Sequence, residues 1–575
     1  MTLARVFHML LPLAVLGSVA VPAQAADVIL SDQVLPNDTF MHFTLKSVKD
    51  AKRQFEESPF GEFINDPVLD AFRAELENAF SGQVGKALAE VENQLGMPVD
   101  ELLRIPSGEV SVSIAGVGNH IGLVIHVDIG DSVSQVESLL DLAEQALSRV
   151  SKVVQSTQNV GGVDITLYEV QEDVPTPLLK EFGWFVHGGR LVISSSQRVM
   201  ESLIENWDGT SSDSLSNNEK YSFVLNRLET EAGSADSIFY LDLIGLVTKL
   251  SQTGSFGDGQ FIASMAIAQL PMLGLNQLQA IAMVTEEGTD DVQMINRAMV
   301  YTDQPPTGLM RAFMLAPAQS VPPSWVKEDA SLYMATKWQL TEAYSAIEEL
   351  VDGFQGPGTL AALIDQASAS GPGVHIKDDL IDQLTGEVQL VGGGVDPSSN
   401  TNEMLVAIGV RDADAFSNLL ARVSDEPGFP LTIREFQGFT LYEVSQAGPT
   451  IGLTVANGSF LIGMGERMME QTLRNDDDIR PLAESDDYQR ISQHFPSEVV
   501  AVNFARTAEQ YRSFYELLQS GSAEDQFPGM DELFSRIDFT TLPPFEAVSR
   551  YLAPAGGFTV ADENGYVSEG YSLKP

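Results

Sequence analysis

The feature that most constrains this fold is an internal repeat, because the second half of the chain restates segments of the first half in the same order. Related segments are separated by about 270–280 residues. The pairs are DELL at 100–103 with DDLI at 378–381, SGEV at 107–110 with TGEV at 385–388, LYEV at 167–170 with LYEV at 441–444, and QRVME at 197–201 with ERMME at 466–470. A collinear order with a slowly drifting separation is typical of a duplicated unit with small insertions in its loops.

The repeat predicts two tandem homologous units. The first runs from residue 26 to residue 302, and the second from residue 321 to residue 575. Residues 303–320 include Pro305, Pro306 and Pro317, which cannot donate hydrogen bonds to a strand ladder. We therefore expect a Pro-rich linker between the two units.

Each unit carries short strand candidates joined by tight turns. Gly188 and Gly189 in the first unit, and Asn457 and Gly458 in the second, are residue pairs that tolerate the positive φ of a two-residue hairpin turn. Strands joined by hairpins imply a mainly antiparallel sheet. Amphipathic helix candidates lie between them and are predicted to pack on one face, which gives an α+β fold class.

The best-patterned helix candidate follows the first hairpin of each unit. Apolar residues recur at i, i+3, i+4 and i+7 from Val136 in the first unit and from Phe416 in the second. Ser132 and Asp412 hold equivalent starting positions, and both side chains are good N-cap acceptors. The pattern predicts a capped amphipathic helix at the same place in each unit.

Residues 1–25 have the pattern of a secretory signal peptide. Arg5 supplies the positive charge, residues 9–16 form a short apolar run, and Ala23 and Ala25 make a small-x-small cleavage site. We expect cleavage after Ala25 and export to the periplasm or to the outside of the cell. A membrane anchor needs about 20 apolar residues, so no integral membrane contact is expected once the signal is removed.

The chain contains no cysteine. Disulfides, thiolate nucleophiles, cysteine-ligated zinc and iron–sulfur clusters are therefore excluded. The histidines lack the spacings of zinc hydrolases, and at the equivalent positions of the second unit Tyr333 replaces His42 and Val406 replaces His126. The sequence predicts no cofactor, no metal site and units stabilised by core burial.

The chain is strongly acidic, with 80 Asp and Glu against 33 Lys and Arg and a formal net charge of −47. Such a field repels phosphate backbones and anionic membrane surfaces, so no nucleic-acid partner is expected. The acids are dispersed along the chain, as is typical of a solvated acidic surface. An envelope protein or a polysaccharide stays open as a partner.

Glu109 and Glu387 are the strongest candidates for acid–base chemistry, because each follows a glycine at the start of a strand. General acid–base catalysis by a carboxyl pair needs the two groups within several ångströms of each other. The alternative is a turn glycine followed by a solvent-facing acid, and each unit supplies one such residue. We therefore assign no catalytic residue and expect both acids to face solvent.

Other polar patterns favour structural roles. Arg198 and Glu201, and likewise Arg467 and Glu470, have the i, i+3 spacing of ion pairs on a helix surface. Such pairs contribute only a few tenths of a kcal/mol. Tyr168 fits an alternating strand pattern, so it is interpreted as structural as well.

Five segments resemble a group of exported bacterial proteins. They are LPNDT at 35–39, FQGPG at 354–358, DDLIDQLTG at 378–386, LPPFE at 542–546 and YLAPAGG at 551–557. The group is catalogued as a domain of unknown function, and the resemblance covers essentially the whole chain after the signal. It implies an uncharacterised exported protein and transfers no functional residue.

These patterns predict a non-catalytic binding or scaffolding protein of the bacterial cell envelope. Two alternatives stay open. One is a carboxylate-dependent hydrolase acting in the cleft between the units. The other is a calcium-stabilised envelope protein, with oxygen-rich loops at 396–400 and 475–478, although neither loop has EF-hand spacing.

Overall fold

The computed structural model describes residues 29–81, 92, 98, 105–149, 153–171, 180–231, 233–370, 373–396, 401–424, 431–444, 450–474, 479–522, 534 and 536–575. Within these ranges the chain is an α+β protein with a large antiparallel sheet and many helices, which confirms the predicted fold class at that level. No helix in the described ranges is long and apolar enough to cross a bilayer. The predicted cleavage site at Ala23 and Ala25 lies outside the described residues.

Twenty described strands form the sheet. Those before residue 303 are β1 (Thr39–Leu45), β2 (Val110–Val117), β3 (His120–Asp128), β4 (Val153–Val160), β5 (Val163–Val170), β6 (Glu181–His187), β7 (Arg190–Ser194), β8 (Ser237–Leu241), β9 (Leu278–Glu287) and β10 (Val292–Thr302). Those after it are β11 (Leu332–Lys337), β12 (Leu384–Asp396), β13 (Thr401–Val410), β14 (Leu431–Phe436), β15 (Phe439–Val444), β16 (Ile451–Ala456), β17 (Ser459–Met464), β18 (Ala501–Ala505), β19 (Ala555–Asp562) and β20 (Gly565–Leu573).

The α-helices with described bounds fall between these strands. In the first half they are α1 (Ser31–Val34), α2 (Val48–Glu56), α3 (Pro59–Asn65), α4 (Asp70–Ser81), α5 (Val133–Leu147), α6 (Gln197–Glu205), α7 (Glu219–Leu228), α8 (Leu243–Gln252) and α9 (Gln260–Gln269). In the second half they are α10 (Leu340–Gln355), α11 (Thr359–Ser370), α12 (Ala413–Ser424), α13 (Glu466–Arg474), α14 (Asp486–Ser492), α15 (Thr507–Gln519) and α16 (Phe545–Ser549).

The two halves of the sheet have the same strand order. In the first half the order is β4-β5-β6-β7-β3-β2-β1-β8-β9-β10, and all neighbours are antiparallel. In the second half it is β14-β15-β16-β17-β13-β12-β11-β18-β19-β20, again antiparallel. The last strands of the halves, β10 and β20, pair with each other, so the halves form one continuous sheet.

The joint between the halves is stabilised by both charge and apolar packing. Arg297 on β10 lies opposite Glu569 on β20, and its Nε is 3.0 Å from a carboxylate oxygen of that residue. The apolar core of each half also contains a side chain from the other half. Val567 from the second half packs in the core of the first, and Val292 from the first half packs in the core of the second.

The predicted hairpin turns have the required backbone geometry. Gly188 and Gly189 adopt φ of 57° and 74°, and Asn457 and Gly458 adopt φ of 53° and 72°. Consecutive positive φ angles match the right-handed twist of the strands that such turns connect. The turn residues therefore fix the β6–β7 and β16–β17 registers.

Helices pack on both faces of the sheet, so the prediction of a single covered face is wrong. Val124 on β3 packs with Val199 of α6 in one core cluster, whereas its neighbour Ile125 packs with Leu139 of α5 in another. Successive strand residues point to opposite faces. In the second half α13 and α12 pack in separate clusters in the same way. The apolar runs along β3 and β13 reflect burial from both sides.

The two predicted N-caps behave differently. Asp412 Oδ1 accepts a hydrogen bond of 2.9 Å from the backbone N–H of Ala415, which caps α12 as predicted. Ser132 precedes α5, but within the described residues its side chain makes no cap bond. Sequence position alone therefore located both helix starts and identified only one of the two caps.

The segment 303–320 contacts both halves. The backbone N–H of Asp303 donates a 2.8 Å hydrogen bond to the carbonyl of Gln277 in the first half, and the segment also packs on the second half. Its 3-10 helix, Gly308–Phe313, contacts α10, where Ala312 packs with Ala343 and Ala346. The indole N–H of Trp338 donates a 2.7 Å hydrogen bond to the carbonyl of Ala312. The Pro-rich segment is thus docked by both apolar packing and a hydrogen bond.

Candidate functional site

Glu109, one of the two carboxylates marked by the sequence, is buried just before β2 with 2% of its surface exposed. It accepts hydrogen bonds from the backbone N–H of Ser31 at 2.8 Å, from the Ser31 hydroxyl at 2.5 Å and from the Thr44 hydroxyl at 2.8 Å. Burial raises the pKa of Glu109, and these hydrogen bonds oppose the rise. The expectation of a solvent-facing acid is wrong here, because α1 folds over the strand entrance.

A second carboxyl lies beside it. Asp32 is also in α1, and it accepts a 3.2 Å hydrogen bond from the Tyr221 hydroxyl. Burial raises the pKa of Asp32, and that hydrogen bond opposes the rise. The Tyr221 ring meets the His42 ring edge-on at 5.9 Å, and His42 Nδ1 lies 2.9 Å from the Ser113 hydroxyl. We call Ser31, Asp32, His42, Thr44, Glu109 and Tyr221 the polar cluster.

Two histidines of the first half are buried, His42 within the polar cluster and His126 on β3. Burial lowers the pKa of His42 and of His126 to about 3 in each case. Among the described residues neither ring nitrogen of His126 has a hydrogen-bond partner, and its ring stacks on Trp207 at 5.9 Å. Both imidazoles are therefore neutral in the folded protein at neutral pH.

Within the described residues of the second half, the positions equivalent to Glu109, His42 and His126 do not form such a cluster. Glu387 is partly exposed and lies 3.4 Å from the ammonium group of Lys337, while Tyr333 and Val406 stand where the first half has histidines. Because Glu109 is sealed from solvent, it is not available to a substrate in a cleft. The cluster anchors α1 on the sheet. In the described part of the chain no group of three His, Asp or Glu residues suits a metal ion.

The two predicted ion pairs have different outcomes. Arg198 lies 2.7 Å from Glu201, as predicted. Arg467 instead reaches Glu403 on β13, whose side chain is fully buried, and Glu470 pairs with Arg434. The predicted pair in the second half is wrong, because a buried acid competes more strongly for the guanidinium than a helical neighbour does.

The remaining sequence candidates are placed as follows. Tyr168 is buried and stacks on Phe182 with ring centroids 5.2 Å apart, which makes it a core residue. The loop at 475–478 lies outside the described residues, as do 397–400. The calcium-stabilised alternative is therefore neither supported nor contradicted by these loops.

The centre of the sheet presents a row of side chains that are not buried. Direct cross-strand partners lie on the same face of a sheet. Starting from β1, the row crosses eight neighbouring strands, or about 34 Å at roughly 4.8 Å per strand. Its members, which we call the open row, are Phe43, Phe239, Met283, Ala298, Ser568, Thr559, Ala501 and Thr336.

The open row is apolar at one end and small or polar in the middle. Phe43 and Met283 are each 44% exposed, and Phe239 lies between them on β8. Two residues further along the same strands, Met41 and Ile281 extend this apolar area on the same face. Contiguous exposed apolar areas are uncommon on folded proteins and are frequent at interaction sites.

Sequence reasoning missed the open row because it searched for polar chemistry. The signal was present in the β1 sequence TFMHFTL, where apolar residues occupy both strand faces. Met41 and Phe43 alternate with the buried His42 and Thr44. On β1, therefore, large apolar residues lie on the less buried face and two polar residues lie on the buried face, which inverts the usual pattern.

Comparisons with known proteins identify no family. No protein-family model matches the chain, and no curated protein matches it. One solved structure, crystal form I of TP0453, is similar at 15% identity over 44% of this chain and 78% of that chain, with a TM-score of 0.21. A similarity at that score supports no conclusion about fold or function.

Proposed function

We propose that this chain is an exported, non-catalytic binding protein of the bacterial cell envelope, and that it holds an apolar, chain-like ligand on the open row. The observation that carries the proposal is the exposure of Phe43 and Met283 at the centre of a folded sheet. Burying an exposed apolar side chain is favourable by about 25 cal/mol per Å². A ligand that covers these residues would recover that free energy.

The polarity of the open row indicates the ligand class. Its apolar end, at Phe43 and Phe239, suits a hydrocarbon chain, and the hydroxyls of Ser568 and Thr559 suit an uncharged polar head. The strongly negative net charge repels an anionic head group through long-range electrostatics. An uncharged amphiphile therefore fits better than a charged one.

We further propose that the protein arose by duplication of one α+β unit, at residues 26–302 and 321–575, and that residues 1–25 direct export. The repeated segments and the matching strand orders of the two halves support the duplication. Among the described residues, Glu387, the equivalent of Glu109, is partly exposed, so the two units share no buried carboxylate at this position. The binding proposed for the open row depends on the sheet and not on the polar cluster.

Titration with an uncharged fluorescent amphiphile, such as a dye-labelled monoacylglycerol, tests the binding proposal. A variant combining Phe43→Ser and Met283→Ser should bind at least about 10-fold more weakly, since losing about 1.4 kcal/mol of apolar contact is tenfold in affinity. The matched control is Ile433→Ser on the edge strand β14, which is 55% exposed and outside the open row. Equal weakening by both variants, or no binding by the unmodified protein, would refute the proposal.

A further inference from the structure

Helix α9 is the most exposed apolar element of the described structure. Phe261 is 74% exposed, Ile262 is 72% exposed and Met265 is 54% exposed. Every residue of this ten-residue helix is at least partly exposed, and its sequence, QFIASMAIAQ, contains no charge. A helix that is apolar on all sides is normally enclosed by an apolar environment.

The absence of charge extends well beyond the helix. Residues 259–285 contain no Asp, Glu, Lys, Arg or His, although 20% of the chain is charged and the net charge is −47. The exposed side chain of Met272 follows the helix within this run. The part of this run that precedes β9, residues 259–277, is therefore an uncharged segment with exposed apolar side chains on an otherwise strongly acidic protein.

Helix α9 is attached to the body through polar contacts at its first turn. The side-chain amide of Gln260 donates to the carbonyl of Ser251 at the end of α8, and it lies 3.2 Å from the Ser251 hydroxyl. The Ser264 hydroxyl is 3.3 Å from the same hydroxyl. These contacts use the polar residues of α9 and leave its apolar residues available.

The pattern on α9 selects among possible occupants. A protein groove recognises an amphipathic helix by one apolar stripe at i, i+3, i+4 and i+7. At about 100° of rotation per residue, Ile262 and Ile267 lie on opposite sides of Phe261 around the axis of α9. All three side chains are at least partly exposed, so the apolar surface is wider than one stripe. A fluid hydrocarbon phase, which surrounds an inserted helix, suits this surface better than a groove does.

Length and charge define the kind of membrane contact. Ten helical residues span about 15 Å, roughly half of a 30 Å hydrocarbon core, so α9 is long enough to enter one leaflet and too short to cross. The net charge of −47 is repelled by anionic lipid headgroups. We propose that α9 docks the protein on a bilayer surface of zwitterionic or uncharged lipid by inserting into one leaflet. This proposal is independent of ligand binding on the open row.

A single-cysteine label tests insertion directly, because the natural chain contains no cysteine. The full chain carrying Ile262→Cys is labelled with an environment-sensitive dye and mixed with phosphatidylcholine vesicles. The matched control is Phe354→Cys at the end of α10, where the side chain is 60% exposed. We expect a blue shift and quenching by bromine-labelled acyl chains at position 262, and neither effect at position 354.

Vesicle flotation gives an independent readout. Phe261→Asp combined with Ile262→Asp should lower the partition onto phosphatidylcholine vesicles at least 10-fold, whereas Phe354→Asp should change it less than 2-fold. Adding phosphatidylglycerol should weaken the binding of the unmodified protein at low salt, and added salt should restore it. Circular dichroism and thermal melts establish that the variants fold.

Four results would overturn the proposal. The first is the absence of flotation by the unmodified protein, and the second is an equal loss in the Phe354→Asp control. The third is stronger binding to anionic vesicles, which would assign the contact to a basic patch. The fourth is a dimer in sedimentation that Phe261→Asp and Ile262→Asp dissolve, which would make a second copy of the chain the occupant of α9.

Discussion

The two buried histidines make the stability of the first half depend on pH, and His126 provides the sharpest test. Burial lowers its pKa from the ordinary 6.5 to about 3. The unfolded chain therefore binds a proton at this site below pH 6.5, while the folded chain does not until about pH 3. The stabilising contribution is fully present above pH 6.5 and is lost as the pH falls from 6.5 towards 3.

The size of the effect follows from these two values. One pKa unit corresponds to about 1.4 kcal/mol. Between pH 7 and pH 5 the free energy of unfolding should fall by about 2 kcal/mol because of His126 alone. The variant His126→Val, which places there the residue type found at Val406 in the second half, should lose that part of the pH dependence.

The assay is urea unfolding at pH 7 and pH 5, followed by tryptophan fluorescence. Trp207 stacks on the His126 ring and reports on this region. Burial raises the pKa values of Asp32 and Glu109, so their contribution has the opposite sign and is lost as the pH rises. Both carboxyls are present in the wild type and in the variant. Their contributions therefore cancel when the pH dependence of the variant is subtracted from that of the wild type.

The control is His120→Val, at the exposed first residue of β3. Its loss of stability between pH 7 and pH 5 should equal that of the wild type. If His126→Val also loses as much stability as the wild type over this range, then His126 is not a neutral buried group in the folded protein, and the reasoning fails.

Two further predictions concern the buried carboxylates. Glu109→Ala should lower the free energy of unfolding by about 3 kcal/mol, because it leaves buried hydrogen-bond donors without an acceptor. Glu387→Ala, at the partly exposed equivalent position, should lower it by less than about 1 kcal/mol. Equal losses of stability in thermal melts would contradict the structural role assigned to the polar cluster. Burial raises the pKa of Glu286, but hydrogen bonds, including one from Arg297, lower it to about 2. Arg297→Ala should therefore lower the free energy of unfolding by about 2 kcal/mol at pH 7, and by less near pH 2. The control, Arg198→Ala at an exposed site, should lower it by less than about 1 kcal/mol.

Local patterns predicted the local elements well. The turn at Asn457 and Gly458 and the cap at Asp412 follow from the conformational preferences of those residues, and both are present. The α+β class follows from the frequency of hairpin signals. These features depend on interactions within a few residues, which a sequence displays directly.

The candidate site depended on contacts that a sequence does not display. Glu109 is buried because α1 supplies the donors of Ser31 from 78 residues away. Arg467 pairs with Glu403 on a distant strand instead of its helical neighbour. In both cases a long-range partner decided the environment of a charged group.

The sequence by itself determined the hairpins, the helix starts and the two-fold repetition of motifs, since each rests on short-range backbone and side-chain preferences. The tertiary structure decided which strand faces are covered, because an apolar strand residue has the same local signal whether a helix packs on it or not. Phe43 and Ile125 illustrate this: both are large apolar strand residues, but one is 44% exposed in the open row and the other is buried under α5. Only the placement of helices over the finished sheet separates a buried strand residue from an exposed one.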